Sequence, residues 1–326
     1  MEKINLAIVG ATGLVGSTIL KVLDERNFPY ENLTLFASKK SAGEKIKVGN
    51  KEYIVEELKE DSFKNKNIDI ALFSAGGSVS EKFAPIAKEE GVVVVDNSSF
   101  WRMNKDISLI VPEVNKEDID ISKGIISNPN CSTIQSVIPL KAINDKFKIK
   151  RIIYSTYQAV SGAGIDGIRD LEEDRNDKFP YHIRRNTIPQ IDDFLENGYT
   201  KEEMKMIEET KKILKNDIPI TATTVRVPIK NSHGVNMNIE LEDDFELEEI
   251  YDALEEQEGL VIVDDLKNNK YPLQEYANGK DEVFVGRIRR DYSVENGINL
   301  WCVADNIRKG AATNAVQIAE IVKDLL

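Results

Sequence analysis

Cysteine is nearly absent from this 326-residue chain: Cys131 and Cys302 are the whole complement. Two cysteines cannot build a disulfide framework, and no CxxC or Cys/His grouping offers a structural zinc site, so no metal is expected. Such sparing use of cysteine suits a reducing cytoplasm. Aromatic residues make up only 7% of the chain. No apolar stretch approaches the roughly 18 to 20 residues that cross a bilayer, which excludes a transmembrane anchor. The apolar segment Ile4–Val9 runs straight into glycines without a basic leader, so it reads as a buried strand, not a signal-peptide core. Positive charge is the minority sign. With 43 basic and 56 acidic side chains the net charge is −13, which argues against a general affinity for nucleic acid or anionic membranes. An anionic ligand must therefore meet cations placed locally.

What the chain does have is 41% hydrophobic and 30% charged residues, enough to build two globular cores. Ile4–Val9 is bounded by Gly10 and followed by Val15, Ile19, Val22 and Leu23 at helical spacing. Strand-like runs at Leu33–Ala37, Ile68–Ser74 and Val92–Asp96 then alternate with helical stretches such as Ser80–Glu89. Nearly continuous apolar strands separated by helices predict a Rossmann-like, doubly wound parallel sheet. After about residue 132 the pattern changes. The strands Arg151–Val160, Ile220–Val227 and Val235–Leu241 are longer, and in the last of these Val235, Met237, Ile239 and Leu241 alternate with Asn236, Asn238 and Glu240. That predicts an α+β domain on a mixed, largely antiparallel sheet with one face free of helices, a face that a second copy of the chain would cover. Thr200 and Glu203 form a capping box that opens a charged helix to Lys215, most of whose charges are expected to face water. Glu246–Glu258 reads as another amphipathic helix without chemistry, and Leu171–Tyr181 as a charged surface loop. The closing helix, Gly310–Leu326, has the pattern to dock on the first domain. The α/β chain thus divides into 1–132 with 307–326 for nucleotide binding, and 133–306 for catalysis and dimerisation.

Between the first strand and first helix stands Gly10-Ala11-Thr12-Gly13-Leu14-Val15-Gly16. Glycines let backbone approach a pyrophosphate, and the following helix N-terminus attracts its charge, so this position predicts a dinucleotide site rather than a plain turn. A carboxylate at the end of the second strand would select NAD. The chain reads Ala37-Ser38-Lys39-Lys40-Ser41 instead, which offers Ser38 and Lys39 to the 2′-phosphate of NADP, with a solvated basic turn as the alternative.

Asn128-Pro129-Asn130-Cys131-Ser132-Thr133 precedes the helical run Ile134–Leu140 and should place Cys131 at a helix N-terminus. There the dipole favours thiolate; from a reference pKa near 8.5 only about 3% is ionised at pH 7, and a fall of roughly two units would make the anion predominant. Cys302, inside Ile298–Ala304, reads as a small buried hydrophobe. Pro139 should kink the cysteine's helix or end it early. A nucleophile needs a proton-handling partner. His182 lies in the charged loop, whereas His233 occupies a polar turn between two strands and can project into a cleft. Arg226, near the end of an apolar strand, needs an anionic partner: an internal ion pair or a substrate carboxylate. Arg102, after Phe100-Trp101, is an anion site or an arginine stacked on Trp101.

Together with Ser98–Met103, Ser155–Gly164, Glu202–Lys205 and Phe284–Arg289, these segments resemble the aspartate-β-semialdehyde dehydrogenase family over nearly the whole chain. The resemblance implies NADPH-dependent reduction of L-aspartyl-β-phosphate to the semialdehyde with release of phosphate, a step toward lysine, threonine and methionine. It implies that Cys131 carries the acyl thioester, His233 serves as acid/base and Gln158 orients the substrate. Arg226 would hold the α-carboxylate and Glu202 the α-ammonium. Arg102 and Lys205 would bind phosphate, with Asn130 lining the pocket. NADP would touch Gly10, Thr12, Gly13, Val15, Ser38, Ser161, Gly162 and Asn306. A homodimer is implied, with a tetramer as further assembly. One departure is Leu171–Tyr181, shorter than in many members. Of the rivals, N-acetyl-glutamyl-phosphate reductase shares architecture and chemistry but typically has glycine before its cysteine, where this chain has Asn130. A catalytically silent NADP-binding regulator would need the glycine loop but not Cys131, His233, Gln158 and Arg226 together.

Overall fold

Apart from Asn5, the first strand is apolar at every position, and such a strand is stable only when covered on both faces. The computed structural model, which describes residues 3–326, contains two compact units: 1–129 with 311–326, and 130–310. The first unit runs β1 (Ile4–Val9), α1 (Leu14–Glu25), β2 (Tyr30–Ala37), β3 (Lys45–Val48), β4 (Lys51–Glu57), β5 (Ile70–Phe73), α2 (Gly77–Glu89), β6 (Val93–Asp96), β7 (Ser108–Leu109), α3 (Pro112–Asn115) and β8 (Ile125–Ser127). They form an eight-stranded sheet in the order β3-β4-β2-β1-β5-β6-β8-β7, parallel except for the β3–β4 hairpin. Side chains leave each strand on alternate sides. Leu6, Ile8, Ile70 and Leu72 pack with Ile19 and Leu23 of α1, and with Val316 and Ile318 of the C-terminal helix Thr313–Leu325. Ala7, Val9, Ala71 and Phe73 pack on the opposite side with Ala84 and Ala87 of α2. The sheet is therefore wound on both faces.

The hairpin β3–β4 was not expected. Its strands flank a few apolar residues, Ile46 and Val48 in β3 and Tyr53, Ile54 and Val55 in β4, with lysine and glutamate, the composition of a solvated edge that resists pairing with other chains. Gly49, at φ +56°, makes the turn.

The second unit comprises α4 (Cys131–Phe147), β9 (Ile149–Gln158), α5 (Gly164–Glu172), α6 (Lys201–Leu214), β10 (Ile220–Arg226), β11 (His233–Leu241), α7 (Leu247–Glu255), β12 (Leu260–Ile262), α8 (Gln274–Ala277), β13 (Val283–Asp291) and β14 (Gly297–Ala304). Its six-stranded sheet has the order β10-β9-β11-β14-β13-β12 and is mixed: the two outer pairings are parallel and the three inner ones antiparallel. Ile152, Tyr154, Val235, Met237, Ile239, Ile298 and Leu300 are buried on one side, where α4 packs across β9, β11 and β14. Between them lie the less buried Ile153, Ser155, Tyr157, Asn236, Asn238, Asn299 and Trp301. Tyr157 and Trp301 meet edge to face at 5.4 Å between centroids.

Helix α4 does not end early at Pro139 but continues through it to Phe147. α5 also takes in Leu171 and Glu172, the start of the expected surface loop. The remainder of that loop hangs on buried Asp170, whose carboxylate accepts the main-chain N–H groups of Asp177 (3.2 Å), Lys178 (2.8 Å) and Phe179 (3.0 Å). Among the described residues no helix is long and apolar enough to cross a membrane.

Candidate active site

Asn130 stops one residue short of helical geometry, at φ −61° and ψ 144°, and its Oδ1 accepts from the N–H groups of Ser132 (3.0 Å) and Thr133 (3.3 Å). This is an N-cap, and it makes the partly exposed Cys131 the first residue of α4. The cap is itself held by α6. Asn130 Nδ2 donates to Glu202 Oε1 at 2.9 Å, and its main-chain N–H donates to Glu209 Oε2 at 2.6 Å. Glu202 and Glu209 stand two turns apart on α6 and so share a face. Most charges of this helix reach the surface as expected, but three carboxylates are exceptions. Glu202, Glu203 and Glu209 are all buried because each finds donors; Glu203 accepts from the N–H groups of Thr200 (2.7 Å) and Thr224 (3.0 Å).

Glu202 gathers three of the expected site residues. Besides Asn130, it accepts from Gln158 Nε2 at 3.0 Å and pairs with Lys205 at 3.2 Å. Burial disfavours its charge, but Lys205, the two amides and Arg226 outweigh that and bring its pKa down to about 2. Gln158 is fixed at its other end, where Oε1 accepts from Thr156 Oγ1 at 3.0 Å. Lys205 also pairs with Asp192, at 2.8 Å.

Arg226 ends β10, buried, with Nη1 donating to the carbonyl of Ala159 at 2.7 Å and the Phe179 ring 5.9 Å from its guanidinium carbon. Among the described residues no carboxylate forms an ion pair with it, and its Nε–H is buried without a partner. Burial lowers its pKa, opposed by the negative charge of Glu202 and by Cys131. An internal salt bridge therefore does not account for this arginine.

His233 is fully buried at the start of β11. Its Nδ1 accepts the main-chain N–H of Ala159 at 2.9 Å, while Nε2 is buried with no partner. Burial and then the Arg226 charge drive its pKa down to about 3, so the ring is neutral at pH 7. Ser232, just before it, sits at φ +70°, an uncommon conformation for a residue with a side chain. Its N–H donates to Asn306 Oδ1 at 2.8 Å, and Asn306 Nδ2 donates to Ser161 Oγ at 3.0 Å. Gly162 packs so closely that a Cβ there would lie 2.8 Å from Arg226 Nη1 and 3.3 Å from His233 Nε2. Thus Cys131, Asn130, Gln158, Ser161, Gly162, Glu202, Lys205, Arg226, His233 and Asn306 all belong to the second unit. His182 is held elsewhere, beside Asp174 at 3.3 Å.

Three further residues were not singled out from sequence: Glu209, Gln135 and Gly310. The two-turn spacing from Glu202 could have found Glu209. Gly310, whose added Cβ would stand 2.9 Å from that of Cys131, carries no local signal.

The glycine loop belongs to the first unit. Gly10 has φ +86°, and a Cβ on it would meet the Ser74 carbonyl carbon at 2.9 Å; a Cβ on Gly16 would overlap the Gly10 carbonyl. Gly13 is the N-cap of α1 and offers no side-chain cap, and the first turn has no acidic residue, which leaves the positive pole of the helix to an anion. Thr12 Oγ1 lies 3.4 Å from Ser41 Oγ, which joins this loop to the exposed turn bearing Ser38 and Lys39, while Val15 packs into the core. β4 places Glu57 opposite Ala37 at the end of β2, with its carboxylate 3.3 Å from Lys59. These features fit a dinucleotide. Arg102 is buried in the same unit, donating from Nε to the Asn128 carbonyl (2.9 Å) and from Nη2 to the Asn97 carbonyl (2.7 Å).

Residues 5–122 match the family model described as semialdehyde dehydrogenase, NAD binding domain, and residues 140–309 match the semialdehyde dehydrogenase dimerisation domain. The aspartate-semialdehyde dehydrogenase of Aquifex aeolicus is 53% identical over 332 residues, covering 97% of each chain. A crystal structure of aspartate semialdehyde dehydrogenase II from Vibrio cholerae, complexed with ASA, superposes with a TM-score of 0.95 at 46% identity over 99% of both chains. The Candida albicans enzyme, solved with NADP, gives 0.80 at 26% identity over 99% of both. The chain belongs to the aspartate-semialdehyde dehydrogenase family.

Proposed function

We propose that this protein reduces L-aspartyl-β-phosphate to L-aspartate-β-semialdehyde, releasing phosphate, through a thioester on Cys131. The observation that carries this reading is a pair of buried, unpartnered groups, Arg226 Nε–H and His233 Nε2, packed around Gly162 in the unit whose helix α4 begins with the cysteine. Buried donors without partners are costly, and an anionic substrate would satisfy them.

At the start of α4 the helix dipole favours the thiolate. Its sulfur attacks the acyl carbon, the carbon–oxygen bond to phosphate breaks, and phosphate leaves with the bonding electrons. Bound NADPH supplies the hydride that reduces the thioester. The carbon–sulfur bond then breaks, and Cys131 recovers its electron pair. His233, neutral with its proton on Nε2, donates a hydrogen bond to the oxygen on which charge develops. Arg226 grips the α-carboxylate, Glu202 receives the α-ammonium, and Gln158 with Asn130 hold the acyl group near the cysteine. Lys205 and Arg102 bind phosphate. Gly10, Thr12, Gly13, Val15, Ser38, Lys39, Ser161, Gly162 and Asn306 hold the dinucleotide.

The unit 1–129 with 311–326 serves the cofactor, and the unit 130–310, which begins just before Cys131, serves the chemistry and pairing. The sheet face carrying Tyr157 is not free of helices throughout, because α8 packs near Trp301 through Ala277, but its exposed part supports a homodimer, with a tetramer built from two such pairs. Two cysteines outside any disulfide suit the cytoplasm. The decisive assay follows NADP reduction in phosphate with aspartate semialdehyde or N-acetylglutamate semialdehyde. Turnover of the first, abolished in Cys131→Ala with NADP binding kept, is expected; turnover of the second alone overturns the reading. Sedimentation at micromolar concentration checks the assembly, and a monomer would count against it.

A further inference from the structure

Pro139 has no N–H to give the carbonyl of Gln135, four residues earlier in α4. That carbonyl accepts instead from the thiol of Cys302 on β14, at 3.3 Å. The side chain of Gln135 answers in the other direction. Its Nε2 donates to the main-chain carbonyls of His233 (3.2 Å) and Cys302 (3.3 Å) and lies 3.8 Å from Cys302 Sγ. Gln135, His233 and Cys302 are all fully buried. The Oε1 of Gln135 has no partner, a cost that the amide's two donated bonds must offset.

The spacing gives this bridge its meaning. Gln135 follows Cys131 by one helical turn on the same face of α4. A single side chain therefore connects the turn beyond the nucleophile to the first residue of β11, which is His233. We propose that Gln135 is a positioning residue that sets His233 relative to Cys131, with Pro139 and Cys302 completing the lock. This rests on the reading above, in which Cys131 and His233 act on one substrate.

The test uses Gln135→Met, which keeps length and loses both donors, in the full chain loaded with NADP. Two readouts are separate. The first is the 15N spectrum of histidine-labelled protein, simple to assign because the chain has only His182 and His233. The wild type should show His233 as one Nε2–H tautomer, and the variant should shift or broaden that signal while His182 stays in place. The second is kinetic. kcat should fall about 10- to 100-fold, with KM and the rate of Cys131 alkylation by iodoacetamide changed by less than about threefold. Cys302→Ser, which keeps a donor to the Gln135 carbonyl, should retain most of kcat. An unchanged His233 signal overturns the proposal, as does a kcat per folded site within about twofold of wild type. If the wild type itself fails to turn over the aldehyde, the functional reading falls, while the spectrum still decides whether Gln135 places His233. Should Gln135→Met not fold, Pro139→Ala, which restores an N–H competing with Cys302, is read in the same way.

Discussion

The main-chain N–H of Ala159 donates to Nδ1 of His233 at 2.9 Å, and the same residue's carbonyl accepts from Arg226 Nη1 at 2.7 Å. An amide nitrogen can only donate, so Nδ1 must offer its lone pair and the neutral ring must carry its proton on Nε2. One residue of backbone thereby fixes a tautomer and aims a guanidinium.

Acid should expose that arrangement. His233 has an ordinary pKa of 6.5 and a folded value of about 3, so between these pH values the unfolded chain takes a proton that the native ring refuses. Its contribution to stability is complete above pH 6.5 and is lost as pH falls toward 3, at a limiting slope of about 1.4 kcal/mol per pH unit. Glu202, held at about 2 against an ordinary 4.5, contributes fully above pH 4.5 and loses that contribution as pH falls toward 2. His233→Asn should therefore flatten the fall in urea midpoint between pH 6.5 and 4.5. Equal slopes in the two proteins would show that the native ring is protonated.

Arg226→Lys should raise KM for the aldehyde by about tenfold or more and lower kcat less. An ammonium that keeps the Ala159 carbonyl cannot also present a planar fork to a carboxylate. Steady-state kinetics at saturating NADP and phosphate decide it, and an unchanged KM would remove Arg226 from the substrate.

Glu209→Ala leaves the buried N–H of Asn130 without its acceptor and should cost about 1–3 kcal/mol, whereas Glu209→Gln keeps an acceptor oxygen and should lose less. Thermal unfolding of both variants reads this difference. The alanine variant should also change the rate of Cys131 alkylation, because the cap of α4 loses one of its two holds.

Gly310→Ala would set a methyl 2.9 Å from Cys131 Cβ, between two main-chain segments. The added atom should shift the sulfur and lower kcat by about tenfold or more while far-UV dichroism stays unchanged. Wild-type kcat in this variant would show that the backbone can yield there.

Much of this was legible in the chain because it obeys local rules. The β1–glycine–α1 unit, the Asn130 cap, the capping box at Thr200 and the alternation in β11 each follow from a short stretch of sequence. What was not legible depends on partners distant in the chain. The buried carboxylates of α6 look like solvated charge until Asn130 and Thr224 arrive from elsewhere to satisfy them. Pro139 looks like a helix breaker until Cys302 takes the carbonyl it leaves. β3 and β4 were missed because lysines and glutamates masked their alternation, although Gly49-Asn50 marked the turn. Arg226 could be left only as an open choice, since its lack of an ion pair is a fact of three dimensions.

Asp170 supports its loop by three consecutive amides at 177–179, all on the far side of the stretch 173–176. Such a tether fixes where the strap comes down without fixing how much slack precedes it. Related chains can therefore gain or lose residues before Asp177 and still lay the Phe179 ring over Arg226, so length is a poor guide to whether this corner of the protein is intact.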